Sequence, residues 1–456
     1  MKRVRVTLTI CVALLAAASG GAPEFTVLGY LGGSGTDDCD GIAMDPAGAV
    51  YLACHSDSPD FPPLSSGQAS RQPGNMDAVV VKLEARTGRV AWITRTGGSA
   101  WDGAGDVEVA SDGSVYVLGS TRSADFPTTP DAVQRRFGGP DRDVFLLKLD
   151  RAGKIVYSTL LGGSKNDEAT GLAVGSDGTV FIGGVTMSSD FPGLRAQLGP
   201  TGRPDGFVAR FTPGHPDSLQ TVLIGGTGMD HISGLTIDRS GNLFAAGFTA
   251  SADFPVKNAR QNRFGGSIDG FLVKLRVSDW EMVFSTWLGG SKMDGAYSVA
   301  VDSTGNPIVS GVTESGDFPS TPSAFQASRH GPVDAFVTKL SADGSRILWS
   351  TYYGGSRPNS DQFLGGSVAV DSSDRVWLTG MTSSLDLPTL NAAQPVYGGG
   401  DFDGFVVAFS TNGSRLCYGS YVGGNQHDVL EGLAVGNGRV YASGLSSSAN
   451  LPQKNS

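Results

Sequence analysis

The chain has 456 residues, with 66 glycines, 23 prolines, only 17% charged residues and a formal net charge of −10. That composition excludes long charged helices and coiled coils, and the acidic field excludes a nucleic-acid backbone as a partner. With 39% hydrophobic residues there is enough for a core, and a Gly-rich, β-branched chain dense in turn residues reads as all-β.

Residues 1–22 carry the marks of a secretory signal. Lys2, Arg3 and Arg5 precede an apolar run from Val6 to Ala18, and small residues follow at 17–22. Cleavage is expected between Ala18 and Gly21. The run is too short for a transmembrane helix, and no later segment is long enough, so the mature chain is expected to lack a membrane span. Secretion or display on a bacterial cell surface follows as the expected location.

Cys39, Cys54 and Cys417 remain after such a cut. The stretch between the first two reads as strand, Asp-Pro-Ala-Gly turn, strand. Closing the turn at Asp45 and Gly48 sets Cys39 opposite Cys54, close to disulfide reach. The alternative is two reduced, half-buried cysteines.

Internal repetition dominates the rest. A Gly-Gly pair begins at 32, 97, 162, 225, 289, 354 and 423, at intervals of 63 to 69 residues. Each unit holds four runs with strand character, in the third copy near 171–174, 179–184, 206–211 and 218–224. Four short strands repeated radially predict a seven-bladed β-propeller forming one domain over 23–456. Its units run approximately 32–96, 97–161, 162–224, 225–288, 289–353, 354–422, and 423–452 with 24–31. FTVLGYLGG at 25–33 matches the last strand of a unit, so this N-terminal strand is expected to complete and close the last blade. One FVxKL-type strand has no counterpart there, which leaves a three-stranded blade or a truncated one.

The units resemble the bacterial SBBP repeat, a seven-bladed β-propeller family. The resemblance rests on the LGGS-x-x-D opening, the VDSxGNxYxxGxTxSxDFP stretch and the D-[AG]-F-V-x-K-L strand, across residues 28–452. It implies an exported or surface-associated propeller and brings no general catalytic activity with it.

Four columns recur. The Gly-Gly pair suits a close backbone approach between blades. Asp37, Asp102, Asp167, Asp230, Asp294, Asp361 and Asp428 follow it and are read as turn-holding acceptors, with calcium ligation as the alternative. An Asp-Phe-Pro triplet, from Asp60-Phe61-Pro62 onward, degrades to Asp386-Leu387-Pro388 and Asn450-Leu451-Pro452, so its ring position wants apolar volume, as a plug against the neighbouring blade. The fourth column is Asp77, Asp143, Asp205, Asp269, Asp334 and Asp403, just before the third strand.

Function belongs to what does not repeat on the face carrying the long Asp-Phe-Pro connections. Around that mouth the expected ligand-contacting residues are Trp101, Lys165, His231, Tyr297, Arg357 and His427, with Asp38, Asn166, Glu168, Lys292, Gln426 and Glu431 beside them. No His-x-His, His-Glu-x-x-His, Gly-x-Ser-x-Gly or Walker spacing occurs, so no catalytic set is assigned. The leading expectation is a monomeric, non-catalytic binding or scaffold module for an extracellular protein or polysaccharide, needing no cofactor unless calcium serves the aspartate column. The alternative is an extracellular polysaccharide hydrolase or lyase using Tyr297, His231, Arg357 or His427.

Overall fold

The computed structural model describes residues 9–16, 24–61, 76–84, 87–200, 202, 204–357 and 366–452, with only the backbone given for 9–16 and 24–28. The structure is an all-β propeller. Six blades are each built from four consecutive antiparallel strands. The first comprises Asp37–Met44, Val50–Ser56, Asp77–Leu83 and Val90–Thr96. The sixth ends with Leu416–Val422. The third copy forms strands at Asp167–Val174, Val180–Thr186, Asp205–Phe211 and Gln220–Ile224. It also carries a fifth, Leu194–Leu198, parallel to the outermost strand. That strand lies in the Asp-Phe-Pro connection, and its LRAQL sequence alternates apolar and polar residues over only five positions.

The expected seven four-stranded blades, the last closed by the N-terminal strand, are not what forms. Six blades follow the repeat. The last unit contributes only Gly432–Gly436 and Arg439–Ser446. Arg439–Ser446 pairs not with the stretch after Pro23 but with Thr9–Ala16, from the segment read as a signal. Glu24–Leu31 pairs with Thr9–Ala16 in turn and occupies the outer edge. The physical reason is the vacant third-strand position: an edge of unpaired amides there takes the adjacent apolar, β-compatible run.

Neighbouring sheets share cores. Tyr51, Val80 and Trp92 of the first blade pack with Val107, Val117 and Phe145 of the second. The same pattern joins Phe244 and Leu272 to Val309 and Phe336. The triplet rings of Phe126, Phe191, Phe254 and Phe318 each meet a third-strand phenylalanine of their own blade, at 4.6 Å for Phe126–Phe145 and 4.4 Å for Phe191–Phe207. The plug expected against a neighbouring blade is thus anchored first on its own sheet.

The repeated aspartates hold the junctions. In the second column one oxygen accepts the N–H of the second glycine of the pair, as Gly98 to Asp102 at 2.6 Å and Gly163 to Asp167 at 2.7 Å. The same oxygen accepts the hydroxyl of Ser123 or Ser188, and the other accepts that of Thr121 or Thr186. Asp361 lies outside the described residues. The glycine must be glycine here, since a Cβ at Gly98 would stand 2.4 Å from Ser123 and 2.5 Å from Asp125. The triplet aspartate ties its loop to the same turn, with Asp125 accepting both the N–H and hydroxyl of Ser99. Asn450 accepts the N–H of Asn425 in the same place at 2.9 Å, because an amide oxygen serves as the acceptor there. In the fourth column Asp269 accepts the N–H groups of Gly265 and Gly266. Burial pushes Asp102, Asp143 and Asp294 up to about 6 and Asp403 up to about 7.

Cys39 and Cys54 are joined in a disulfide, and Cys417 is free. The turn closes one residue later than expected, with Asp45 paired to Ala49, and a bulge at residues 39–40 restores the register that sets Asp38 opposite His55.

Candidate functional site at the axial mouth

The bulge is the device that builds the site. Every blade described at this point skips one residue of its innermost strand, three positions beyond the repeated aspartate. The skipped residues are Asp40, Gly105, Thr170, Ser233 and Tyr297, and all line one axial cavity of about 470 Å³. Glu431 stands at the same offset from Asp428 and lines it too. A bulge frees a residue from the ladder and re-aims its side chain, so one position per blade faces the axis with no constraint from the repeat.

The cavity has an aromatic wall and an acidic wall. On the aromatic side His231 stacks flat on Phe248, its cross-strand partner, at 5.0 Å and 4°. Phe248 meets Tyr297 at 6.0 Å, and His55 meets Trp101 at 6.0 Å. Two glycines let these rings lie against the strands: a Cβ at Gly103 would come within 2.6 Å of the Trp101 ring, and one at Gly295 within 2.7 Å of the Tyr297 hydroxyl. His231 Nδ1 sits 3.2 Å from Ser233 Oγ. Burial lowers His231 to about 4, so it is neutral at pH 7.

On the acidic side Asp40 and Glu431 line the cavity, and Asp38 adjoins them, with oxygens of all three within 4.8 Å of one another. Burial, then repulsion from Glu431, pushes Asp38 up to about 7. Burial and the charges of Glu431 and Asp38 hold Asp40 well above its ordinary range, and burial raises Glu431. Burial lowers His55 against the pull of Asp38. Asp38 Oδ1, Glu431 Oε2 and His55 Nδ1 are buried atoms with no hydrogen-bond partner. The cation nearest the rim is engaged: Arg142 bonds Glu168 at 2.7 Å and lies over the Trp101 ring at 5.4 Å.

Of the residues expected at the mouth, Trp101, His231 and Tyr297 line the cavity, as do Glu168 and Glu431. Lys165 and Arg357 are exposed outside it, and His427 packs edge-on against Phe402 at 5.5 Å instead. Among the described residues no hydrogen bond joins His231, Tyr297 and a carboxylate. Asp40, His55 and Phe248 were missed. Their signal was columnar: Asp40 is the third residue past the repeated aspartate, and His55 and Phe248 share a second-strand column with Ser120, Val185, Val312, Met381 and Leu445. In the first column no residue type repeats, and in the second only valine does, at Val185 and Val312.

No family model matches the chain. It is 28% identical over 362 residues to the regulatory protein FlaEY of Caulobacter vibrioides, across 73% of this chain and 35% of that protein. The chain thus spans about a third of the length of this relative. Among solved structures it is similar to BamB from Moraxella catarrhalis, at 14% identity and a TM-score of 0.38, covering 94% of this chain and 95% of that one. It is similar also to the Neurospora crassa Pan2 WD40 domain, at 10% identity and a TM-score of 0.41, covering 91% and 90%. Among the described residues no helix is long and apolar enough to cross a membrane.

Proposed function

We propose that the chain is an exported, non-catalytic propeller of the SBBP-repeat kind, and that it binds an extracellular protein or polysaccharide at the axial mouth. The carrying observation is the bulge column: in the five blades described there and at Glu431, the residue at this position lines the cavity, and these residues differ in type while their surroundings repeat. A scaffold that repeats everything except the residues facing one cavity is organised to hold a ligand there. The SBBP-like motifs and the apolar N-terminal run support export. The two readings of that run compete, since Thr9–Ala16 cannot be both removed and paired with Arg439–Ser446. Mass spectrometry of the secreted protein decides between them.

The test of the binding reading is an array of glycans, cell-wall polymers and envelope proteins probed with the mature protein and with Ser233→Trp, which fills the cavity. Binding that the folded variant loses supports the reading; binding that it retains places the ligand elsewhere. A polysaccharide hydrolase or lyase has one observation in its favour, the carboxylates Asp38, Asp40 and Glu431 with Asp38 raised into the range of a general acid. Release of reducing ends that Asp38→Asn abolishes would establish it.

A further inference from the structure

We infer that the ligand group seated in the axial cavity is a guanidinium on an alkyl stem, as borne by an arginine side chain or a free alkylguanidine. This inference rests on the binding reading above and names the chemistry of that same site.

Three features converge. First, the acidic wall has acceptors to spare. Glu431 Oε2, on a residue that lines the cavity, is buried without a donor, and Arg142, which lies over Trp101, is already bonded to Glu168. A ligand bringing several N–H groups and a positive charge satisfies that oxygen, reaches Asp40 beside it, and relieves the crowding of these carboxylates with the adjoining Asp38. Second, the facing wall is aromatic, with Trp101, His55, His231, Phe248 and Tyr297 around the same space. Aromatic faces attract a planar, weakly hydrated cation and pack its methylenes, and Arg142 over Trp101 shows the same pairing at the rim. Third, the volume fits. About 470 Å³ is far larger than an ion needs and accommodates a whole side chain with water around it.

The geometry separates this ligand from its competitors. A quaternary ammonium would use the rings but leave the orphan oxygen without a donor. A hard divalent ion wants six to eight oxygens close together, whereas the clustered carboxylates number three, and Glu168, the other carboxylate of the lining, is engaged by Arg142. A neutral sugar would stack on the rings and leave the charge uncompensated.

Calorimetry on the full chain at pH 7.5 tests this with four probes: N-acetyl-arginine amide, its neutral isostere N-acetyl-citrulline amide, the tripeptide Gly-Arg-Gly, and calcium chloride. The arginine probe is expected to bind at least tenfold more tightly than the citrulline probe. Glu431→Gln and Asp40→Asn should each weaken it tenfold or more, and Trp101→Ala about threefold, with unchanged circular dichroism as the folding control. Gly-Arg-Gly binding as well as the amide points to a polypeptide source, and binding of the amide alone to a free guanidine. Equal affinity for citrulline, or indifference to both carboxylate variants, overturns the inference. So does calcium binding that needs Glu431 but not Trp101, in the absence of arginine binding. If no guanidine binds while Ser233→Trp still abolishes capture on the array, this inference falls and the binding reading stands. If Ser233→Trp leaves array capture intact, the binding reading itself falls.

Discussion

The blade junctions and the axial mouth are both rich in buried carboxylates, and they treat them in opposite ways. At a junction, Asp102 is saturated: Gly98, Thr121 and Ser123 all donate to it. At the mouth, Asp38 and Glu431 keep buried oxygens without donors. Both kinds of site pay desolvation, and at the junction internal hydrogen bonds offset part of it, since burial still holds Asp102 at about 6. Asp77, Asp294 and Asp403 of the repeat also keep one buried oxygen without a partner, but the other oxygen of each is bonded by a neighbouring N–H group that holds the junction.

That contrast can be broken by measuring stability. The largest expected effect is at a junction ring: Phe191→Ala should cost about 4 kcal/mol through lost burial and a cavity. Phe191→Leu should cost about 1 kcal/mol, since Leu387 and Leu451 already fill the equivalent place. Asp102→Ala comes next, at about 3 kcal/mol, because it strands three buried donors. Denaturant unfolding checks both. At the mouth the sign should reverse, with Glu431→Gln and Asp40→Asn neutral or stabilising by about 1 kcal/mol at pH 7.5, as like charges are relieved. A loss at the mouth as large as at Asp102 would erase the distinction.

The disulfide sharpens it further. Cys54 stands where the other blades carry Gly119, Gly184, Gly247, Gly311, Gly380 and Gly444, and Cys39 separates Asp38 from Asp40. The double substitution Cys39→Ala with Cys54→Gly restores the residues of the second blade. It should cost about 2 kcal/mol, below the roughly 3 kcal/mol of a 15-residue cross-link, because the glycine relieves crowding at the bulge.

The pH profile tests both regions together. Asp102, Asp143 and Asp294 at about 6, with Asp38 and Asp403 at about 7, all lie above their ordinary 3.8. A raised folded pKa means that the folded state holds its proton more tightly. The stability contributed by these groups is therefore complete below about pH 4 and lost as pH rises through 6 to 7. The exposed aspartates of the triplet are lowered by their serine partners, so their contribution disappears only as pH falls below the ordinary carboxylate range. Melting temperature should accordingly rise from pH 7.5 to about pH 5 and fall again below pH 4, and Glu431→Gln should flatten the upper limb. Chelation should have the smallest effect: the hydrogen-bonded oxygens of the repeated aspartates predict a melting temperature unchanged by EDTA, and a clear drop would restore calcium to that column.

Much of the frame was legible because it repeats. The Gly-Gly pair, Asp102 and its equivalents, and the Phe-to-Leu drift of the triplet each announced a packing or hydrogen-bonding role through spacing alone. Trp101, His231, Tyr297 and Glu431 were reachable as departures from that pattern. Lys165, Arg357 and His427 departed from it equally and yet stand outside the cavity, because proximity to the turn in sequence says nothing of which way a side chain leaves it. Asp40 was hidden for the converse reason, since only a bulge in the innermost strand aims it at the axis.

The last sheet marks the same boundary. A count of Gly-Gly openings is local information, and it gave the blade unit, just as the turn between the two cysteines set Cys39 opposite Cys54. Which strand fills a vacant edge is a competition among all backbones that can reach it, and the fold resolved it for Thr9–Ala16 over the stretch after Pro23. Periodicity in a chain fixes what each unit does alone; only the assembled ring decides what meets at its seam and around its axis, because those contacts join residues hundreds of positions apart.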